Sequence, residues 1–202
     1  MDMSLAPNKI ALSDRKVVAA KFLHRSAAIA LVCAAGSLTA FAQQGKPAAA
    51  PTIASVMEAQ LKVVESQWVP AAEAMPEDKY DFAPPVTLGE FKGVRTFGEE
   101  VKHVALANTF FFHDPTKPLV DNRADFAKLK TKAEIVKTLK DSFALAHTYV
   151  DAITADNAFL MTANGTRAGT ASQGLAHLND HYGQMVVYLR MNGIVPPASR
   201  PK

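Results

Sequence analysis

The sequence predicts an all-α protein, folded as a four-helix bundle with long irregular connections. Four segments repeat apolar residues at intervals of three and four, the spacing of an amphipathic helix. Stretches rich in proline and glycine separate these segments, and no alternating strand pattern stands out. Each segment must bury one face, so the four together can form one core. A chain of 202 residues is long enough for one such domain.

The first helix is predicted over residues 52–75, where apolar residues from Ile53 to Trp68 follow helical spacing. Pro70 lies inside this segment and is expected to kink the helix or end it early. Residues 76–94 contain three prolines and two glycines, which predicts a long irregular connection. Connections of this length in a compact domain are often functional.

Two capping boxes mark the starts of the second and third helices. In each, a threonine hydroxyl accepts an amide three residues later, and the glutamate there reaches back to the threonine amide. The second helix opens at Thr96-Phe-Gly-Glu99 and stops before Pro115. The third opens at Thr131-Lys-Ala-Glu134 and extends to about residue 156, after a turn-rich connection.

The last helix is predicted over residues 172–192, after a loop at 163–169. Gly193 can adopt the left-handed conformation that ends a helix, and Pro196 prevents continuation. This helix contains His177 and His181, which are one turn apart and therefore lie on one face at the edge of the apolar stripe.

Residues 1–42 read as a leader that contains a secretory signal peptide. A basic stretch at 21–25 precedes an apolar run at 26–35, and Ala40-Phe41-Ala42 fits a cleavage site. The alternative is a membrane anchor, but the run is short for a span of about 20 residues. We therefore expect cleavage near Ala42, export to the periplasm or beyond, and no stable membrane span afterwards. Residues 43–51 form a flexible lead-in to the bundle domain at 52–202.

Charge and cysteine content exclude several classes of function. The net charge of +3 resides entirely in residues 1–42, so residues 43–202 have equal numbers of basic and acidic side chains. This balance gives no electrostatic support to nucleic-acid binding. The single cysteine, Cys33, lies in the leader. The bundle domain therefore has no disulfide, thiolate ligand or cysteine nucleophile.

The histidine pair of the last helix is a candidate metal site, because neutral imidazole binds zinc, nickel or iron. Such a pair needs a third ligand, and His103 on the second helix is the best candidate because the small Ala107 next to it leaves space. His147 is the reserve candidate, although a structural role fits it better. The pair lacks the glutamate of a metalloprotease motif. The alternative is that these histidines are merely hydrogen-bonded residues at the edge of the core.

Further residues could orient the histidines or line a pocket, but no catalytic residue is identified. Weak candidates for this supporting role are Gln184, Tyr188, Asp180, Tyr182 and Glu99.

Several segments from about residue 53 to 199 resemble the DinB-like, also called YfiT-like, four-helix-bundle proteins. They are Met75-Pro-Glu-Asp-Lys-Tyr-Asp-Phe82, Arg95-Thr-Phe-Gly-Glu99 leading into Val101-Lys-His-Val104, His177-Leu-Asn-Asp-His-Tyr-Gly-Gln184 with Tyr188-Leu-Arg190, and Gly193-Ile-Val-Pro-Pro197.

The resemblance implies a bundle of unusual connectivity, often a homodimer, with a divalent metal held by three histidines. Matched by position, these are His103, His177 and His181. Characterised members include thiol-dependent S-transferases and a maleylpyruvate isomerase. The export signal of this chain sets it apart from those members.

Three functional hypotheses follow from the sequence. The first is a metal-dependent transferase or hydrolase that acts on a small-molecule substrate. The second is a metal-binding module without turnover, which would serve in stress response or ligand binding. The third is a structural helical domain whose histidines are satisfied by their neighbours.

Overall fold

The computed structural model describes residues 50–201 and shows the predicted all-α architecture. The predicted signal peptide and its cleavage site at Ala42 lie outside these residues. The helices are α1 (Ile53–Ala74), α2 (Phe97–Phe111), the short α3 (Arg123–Lys128), α4 (Lys132–Asp151) and α5 (Arg167–Met191). A hairpin pairs β1 (Met161–Thr162) with β2 (Gly165–Thr166). Short 3-10 turns occupy 77–79, 86–88 and 197–199.

The four long helices form a bundle in which α1 and α2 each pack against both α4 and α5. The order around the bundle is therefore α1, α4, α2, α5, so α1 and α2 are diagonal although they follow each other in sequence. The connection at 75–96 makes this crossing. Helices α2 and α5 are antiparallel, since Arg95 before α2 meets Tyr188 near the end of α5.

The predicted helix starts are confirmed at α2 and α4. The Thr96 amide donates to the Glu99 carboxylate over 2.8 Å, and the Thr131 amide donates to Glu134 over 2.9 Å. In each case the threonine hydroxyl accepts the glutamate amide in return. These boxes satisfy amide groups that a helix start leaves without partners.

Helix α1 spans Ile53–Ala74, close to the predicted 52–75, and continues through Pro70 rather than ending early. The boundaries of the later helices differ from the prediction in two places. Helix α4 stops at Asp151 rather than near 156. Helix α5 begins five residues earlier than expected because Thr166 caps it, and the predicted loop at 163–169 is partly hairpin and partly helix.

Large side chains fill the core between the helices. Fully buried examples are Trp68, Phe97, Phe112, Phe143 and Met185. The indole nitrogen of Trp68 donates to the Leu178 carbonyl over 2.8 Å, which gives a buried polar group its partner. This bond ties α1 to α5 beside the histidine pair. Within residues 50–201, no helix is both long enough and apolar enough to cross a membrane.

Candidate metal centre

Three histidines from two helices converge at the interface of α2 and α5. His103 comes from α2, and His177 and His181 come from adjacent turns of α5. One ring nitrogen of each lies within 4.8 Å of the others. The Nε2 atoms of His103 and His177 are 3.2 Å apart. The structure thus brings together the three histidines that the sequence singled out, and they could hold a metal ion. We call this cluster the histidine triad.

A glycine lets the two helices approach each other beside the triad. A Cβ atom at Gly174 would lie 2.7 Å from the Phe112 ring and 3.0 Å from the Phe111 Cβ. Both distances are below an ordinary van der Waals contact. The backbone of α5 therefore packs directly on α2, one turn before His177. The imidazole side chains meet one turn further along the same interface.

Glu100 contacts one ring of the triad, that of His181. Its side chain is only 2% exposed, and one carboxylate oxygen accepts a hydrogen bond from Nδ1 of His181. The other oxygen lies 3.6 Å from a guanidinium nitrogen of Arg95. With Nδ1 committed to Glu100, His181 has its Nε2 free to face the other two rings. A carboxylate on the distal nitrogen fixes the tautomer and orientation of many metal-binding histidines.

The surroundings keep two of the rings neutral. Burial, the charge of Arg95 and the neighbouring His181 lower the pKa of His103. Burial, together with the charges of His181 and His103, lowers the pKa of His177 to about 4. Burial alone would raise the pKa of Glu100, but its hydrogen bond to His181 and the nearby positive charges lower it. Near neutral pH His103 and His177 therefore offer unprotonated nitrogens, the form that binds metals, and the Glu100 carboxylate is ionised.

The donor set fits a divalent cation on the atoms that the structure shows. Two Nε2 lone pairs that face each other at 3.2 Å repel unless a proton or a cation lies between them. Two nitrogen ligands of one tetrahedral zinc ion lie about 3.3 Å apart, so the observed separation suits ligation. The Nδ1 atom of His177 is buried and has no hydrogen-bond partner among the described residues. The Nε2 atom of His177 is the nitrogen placed for a shared ligand, because it faces the Nε2 atom of His103.

The weak candidates expected to orient the histidines or line a pocket lie in different places. Gln184 and Tyr188 line a cavity on the Glu100 side of the triad. Glu99 is exposed and belongs to the capping box, so the carboxylate at the site is its neighbour Glu100. Asp180 and Gln184 are exposed on α5 and contact each other at 3.4 Å. Their expected support for the histidines is replaced by that of a buried side chain on α2.

The two tyrosines of α5 contact residues outside the triad. Tyr182 packs on Trp68, with ring centroids 6.3 Å apart. Tyr188 is buried, and its hydroxyl donates to the Arg95 carbonyl over 3.0 Å. Tyr188 therefore affects the site indirectly. It binds the backbone of Arg95, whose side chain faces Glu100.

The remaining histidines of the described chain lie apart from the triad. The reserve candidate His147 donates from Nδ1 to Glu58 over 2.8 Å and from Nε2 to Glu65 over 2.9 Å. Both of its nitrogens are thus committed. His113 donates from Nε2 to the Lys117 carbonyl over 2.7 Å.

A cavity of about 550 Å³ opens beside the triad, with His103 and His177 in its wall. We call it the apolar cavity, because six of its other wall residues are apolar: Leu106, Ala107, Phe110, Phe111, Leu119 and Val120. The space expected next to the small Ala107 is present. The connection before α3 also lines the cavity, from Leu119 to Asn122.

A second cavity of about 530 Å³ lies on the Glu100 side of the triad. Its wall includes Pro84, Arg95, Gln184 and Tyr188 as well as Glu100. We call it the Arg95 cavity. The buried carboxylate of Glu100 thus borders this cavity and also contacts the ring of His181.

Sequence reasoning missed Glu100, although a signal for it was present. Glu100 lies three residues before His103, so both project from one face of α2. A Glu-x-x-His spacing of this kind builds metal sites in other helical bundles. The capping role of Glu99 also leaves Glu100 as the free carboxylate of that turn.

Comparison with known proteins supports a family assignment. A search among curated proteins gave no match. The sequence profile of the DinB superfamily matches residues 60–185, more than half of the chain. The matched region includes the whole triad and Glu100. The chain therefore belongs to the DinB superfamily.

Proposed function

We propose that the histidine triad binds one divalent metal ion and that the protein is a metal-dependent transferase or hydrolase of a small molecule. The observation that carries this proposal is the convergence of His103, His177 and His181, with Glu100 behind His181. Three neutral imidazoles leave the full charge of a dication in place and leave coordination positions open, as in catalytic zinc sites.

A metal in this position would act as a Lewis acid that acidifies a bound thiol or water. The residues of the chain prepare the site for this role. Glu100 holds the His181 tautomer, and the low pKa of His177 keeps that ring unprotonated. The apolar cavity provides a poorly hydrated approach to the rings, in which electrostatic interactions are stronger than in water.

The choice between a thiol and water as nucleophile depends on the available bases. Asp121 is the carboxylate in the apolar cavity wall, and it is bound by Arg123 through contacts of 2.9 and 2.6 Å. Within the described residues, no free carboxylate of this wall is placed to take a proton. A thiol bound to a divalent metal would ionise outright and release its proton to solvent, whereas bound water reaches a pKa of about 7 only in the most favourable zinc sites. We therefore infer that a thiol-bearing substrate suits the site better than hydrolysis.

The test begins with metal analysis of protein purified without a His tag. We expect one equivalent of a divalent metal, which the His103→Ala variant should lose. The metal-loaded and metal-stripped proteins are then assayed with thiols plus electrophiles, and with ester and amide substrates. We expect metal-dependent turnover, foremost with the thiols.

Two outcomes would contradict the proposal at different points. Bound metal without turnover in either screen would favour the alternative of a non-catalytic metal-binding module. Purified protein that takes up no metal, with unchanged stability on addition of zinc, nickel or iron, would reduce the triad to a structural cluster.

A further inference from the structure

We propose that the apolar cavity binds the body of the substrate, and that the substrate is a small molecule with an uncharged aliphatic or aromatic body attached to its metal-binding head. This inference rests on the proposed metal centre. It deepens that function because it names the chemical class of molecule that the centre selects.

Position is the first argument. His103 and His177 belong both to the triad and to the cavity wall. A head group bound at the triad would therefore have its remaining atoms directed into the cavity or out past its rim. The volume of about 550 Å³ lies within the range of small-molecule sites, roughly 300–1,000 Å³.

The second argument is the apolar surface at the rim of the cavity. Phe110 is 41% exposed, Leu119 is 52% exposed and Val120 is 65% exposed. These three large apolar side chains come from α2 and from the connection that follows it, yet they meet around one opening. Clustered apolar exposure of this kind marks a binding surface more often than scattered exposure does. A ligand with an apolar body would remove this surface from water.

The third argument is charge. Asp121 and Arg123 are the charged residues of the cavity wall, and they neutralise each other through a two-point contact. The Arg95 cavity also has one arginine and one carboxylate in its wall, but the closest atoms of Arg95 and Glu100 are 3.6 Å apart, against 2.6 Å for Arg123 and Asp121, so Arg95 is the less closely paired of the two cations. A charged body would lose hydration in the apolar cavity without gaining a partner. The cavity therefore discriminates against charged bodies.

The experiment uses cobalt(II)-substituted protein and a series of thiols as probes, namely ethanethiol, butanethiol, hexanethiol and 6-mercaptohexanoate. Thiolate binding to cobalt produces a charge-transfer absorption, which gives a Kd without any need for turnover. We expect the Kd of the alkyl thiols to fall by about fourfold per added methylene until the cavity is filled. The charged 6-mercaptohexanoate should bind no better than ethanethiol.

Two variants test whether the cavity itself causes this trend. Ala107→Phe should fill the cavity and weaken hexanethiol binding while ethanethiol binding is retained. Its control is Ala144→Phe, the same change at an exposed position of α4. Should Ala107→Phe fail to fold, Leu119→Ser in the exposed connection should flatten the trend. Its control is Leu88→Ser, which changes a leucine that is 65% exposed in another connection.

The outcomes separate the two proposals. Thiolate absorption with a Kd independent of chain length, or equal loss in the variants and their controls, would overturn the cavity inference and leave the metal centre standing. Failure to bind cobalt would overturn the metal centre and the inference together. Cobalt binding without thiolate absorption for any thiol would overturn the inference and the choice of a thiol substrate, and would leave the metal centre standing.

Discussion

Two clusters of the bundle place histidine between helices and give it opposite properties. In the histidine triad, the rings of His103, His177 and His181 face one another, and one carboxylate contacts one ring. In the second cluster, which we call the His147 cluster, a single ring lies between Glu58 and Glu65 of α1. Each cluster joins two helices, so the difference lies in the ratio of carboxylates to imidazoles.

That ratio decides which form of the ring the protein stabilises. Burial tends to lower the pKa of His147, but the hydrogen bonds and charges of its two glutamates outweigh burial and raise it. In the triad, burial and like charge act together on His177 and lower its pKa to about 4. The His147 cluster therefore favours a cation that forms ion pairs. The triad favours neutral rings whose lone pairs are available to a metal.

The largest expected effect comes from removing a ring of the triad. His103→Ala should weaken metal affinity by more than about 100-fold, because loss of a ligand costs more than loss of its supporting carboxylate. His147→Ala, which removes one imidazole from the other cluster, should leave affinity unchanged. Competition with a chelating dye measures both. Equal affinities for the two variants would show that the comparison assigns the ligands wrongly.

A smaller effect is expected from the carboxylate behind the triad. Glu100→Gln keeps the shape of the side chain but removes the charge that orients His181, so affinity should fall by about 10- to 100-fold. The adjacent Glu99→Gln should leave affinity unchanged, since glutamine also serves in a capping box. The same dye competition applies. If both variants bind metal with the affinity of the parent, the contact of Glu100 with His181 does not support metal binding.

The close approach of α2 and α5 can be tested through stability. Gly174→Ala should lower the free energy of unfolding by about 1–3 kcal/mol, because the new methyl group meets Phe111 and Phe112. Gly183→Ala lies on the same helix with open space around it, and should raise stability by up to about 1 kcal/mol. Urea unfolding measures both. If Gly174→Ala left the free energy of unfolding unchanged, Phe111 and Phe112 could make room for the methyl group without loss of stability.

The smallest effect concerns the pH dependence of the His147 cluster. The pKa of His147 is raised above 6.5, so its contribution is complete below that pH and is lost as pH rises through the folded-state value. The pKa of Glu58 is lowered despite burial, because His147 and Lys62 bind it. Its contribution is therefore complete above 4.5 and is lost as pH falls through the folded-state value.

The stability difference between the parent and His147→Gln should accordingly be largest between pH 4.5 and 6.5. We expect about 1 kcal/mol at this maximum, since the side chains are partly exposed. Urea unfolding from pH 4 to 9 gives the profile. A difference that grows steadily towards alkaline pH would contradict the sign of the His147 shift.

Much of the fold was predictable because its signals are local. The capping boxes at Thr96 and Thr131 involve residues three apart, and both are confirmed. The left-handed conformation expected at Gly193 is present, with φ of 72°. The short α3 and the hairpin at 161–166 were not predicted, because elements of two to six residues are too short for periodicity.

The candidate site likewise has one part that local sequence predicts and another part that it does not. The pair His177 and His181 follows from helical spacing alone, since residues four apart share one face. Whether Glu100 contacts the triad and Leu119 lines the apolar cavity depends on how separate segments of the chain pack. Local sequence patterns do not contain that information. Glu99 and Glu100 differ by one position in sequence, yet one is exposed and the other is buried against His181.

The sequence by itself determined the four amphipathic helices, two of their caps and the face that carries the paired imidazoles, because these depend on neighbours within one or two turns. Only the tertiary structure decided that α2 lies against α5 and that Gly174 packs on Phe111 and Phe112 there. It also decided that one carboxylate contacts a ring of the triad, whereas two carboxylates contact His147. The physical reason is that burial and electrostatic environment arise from residues far apart in the chain, whose approach is set by packing.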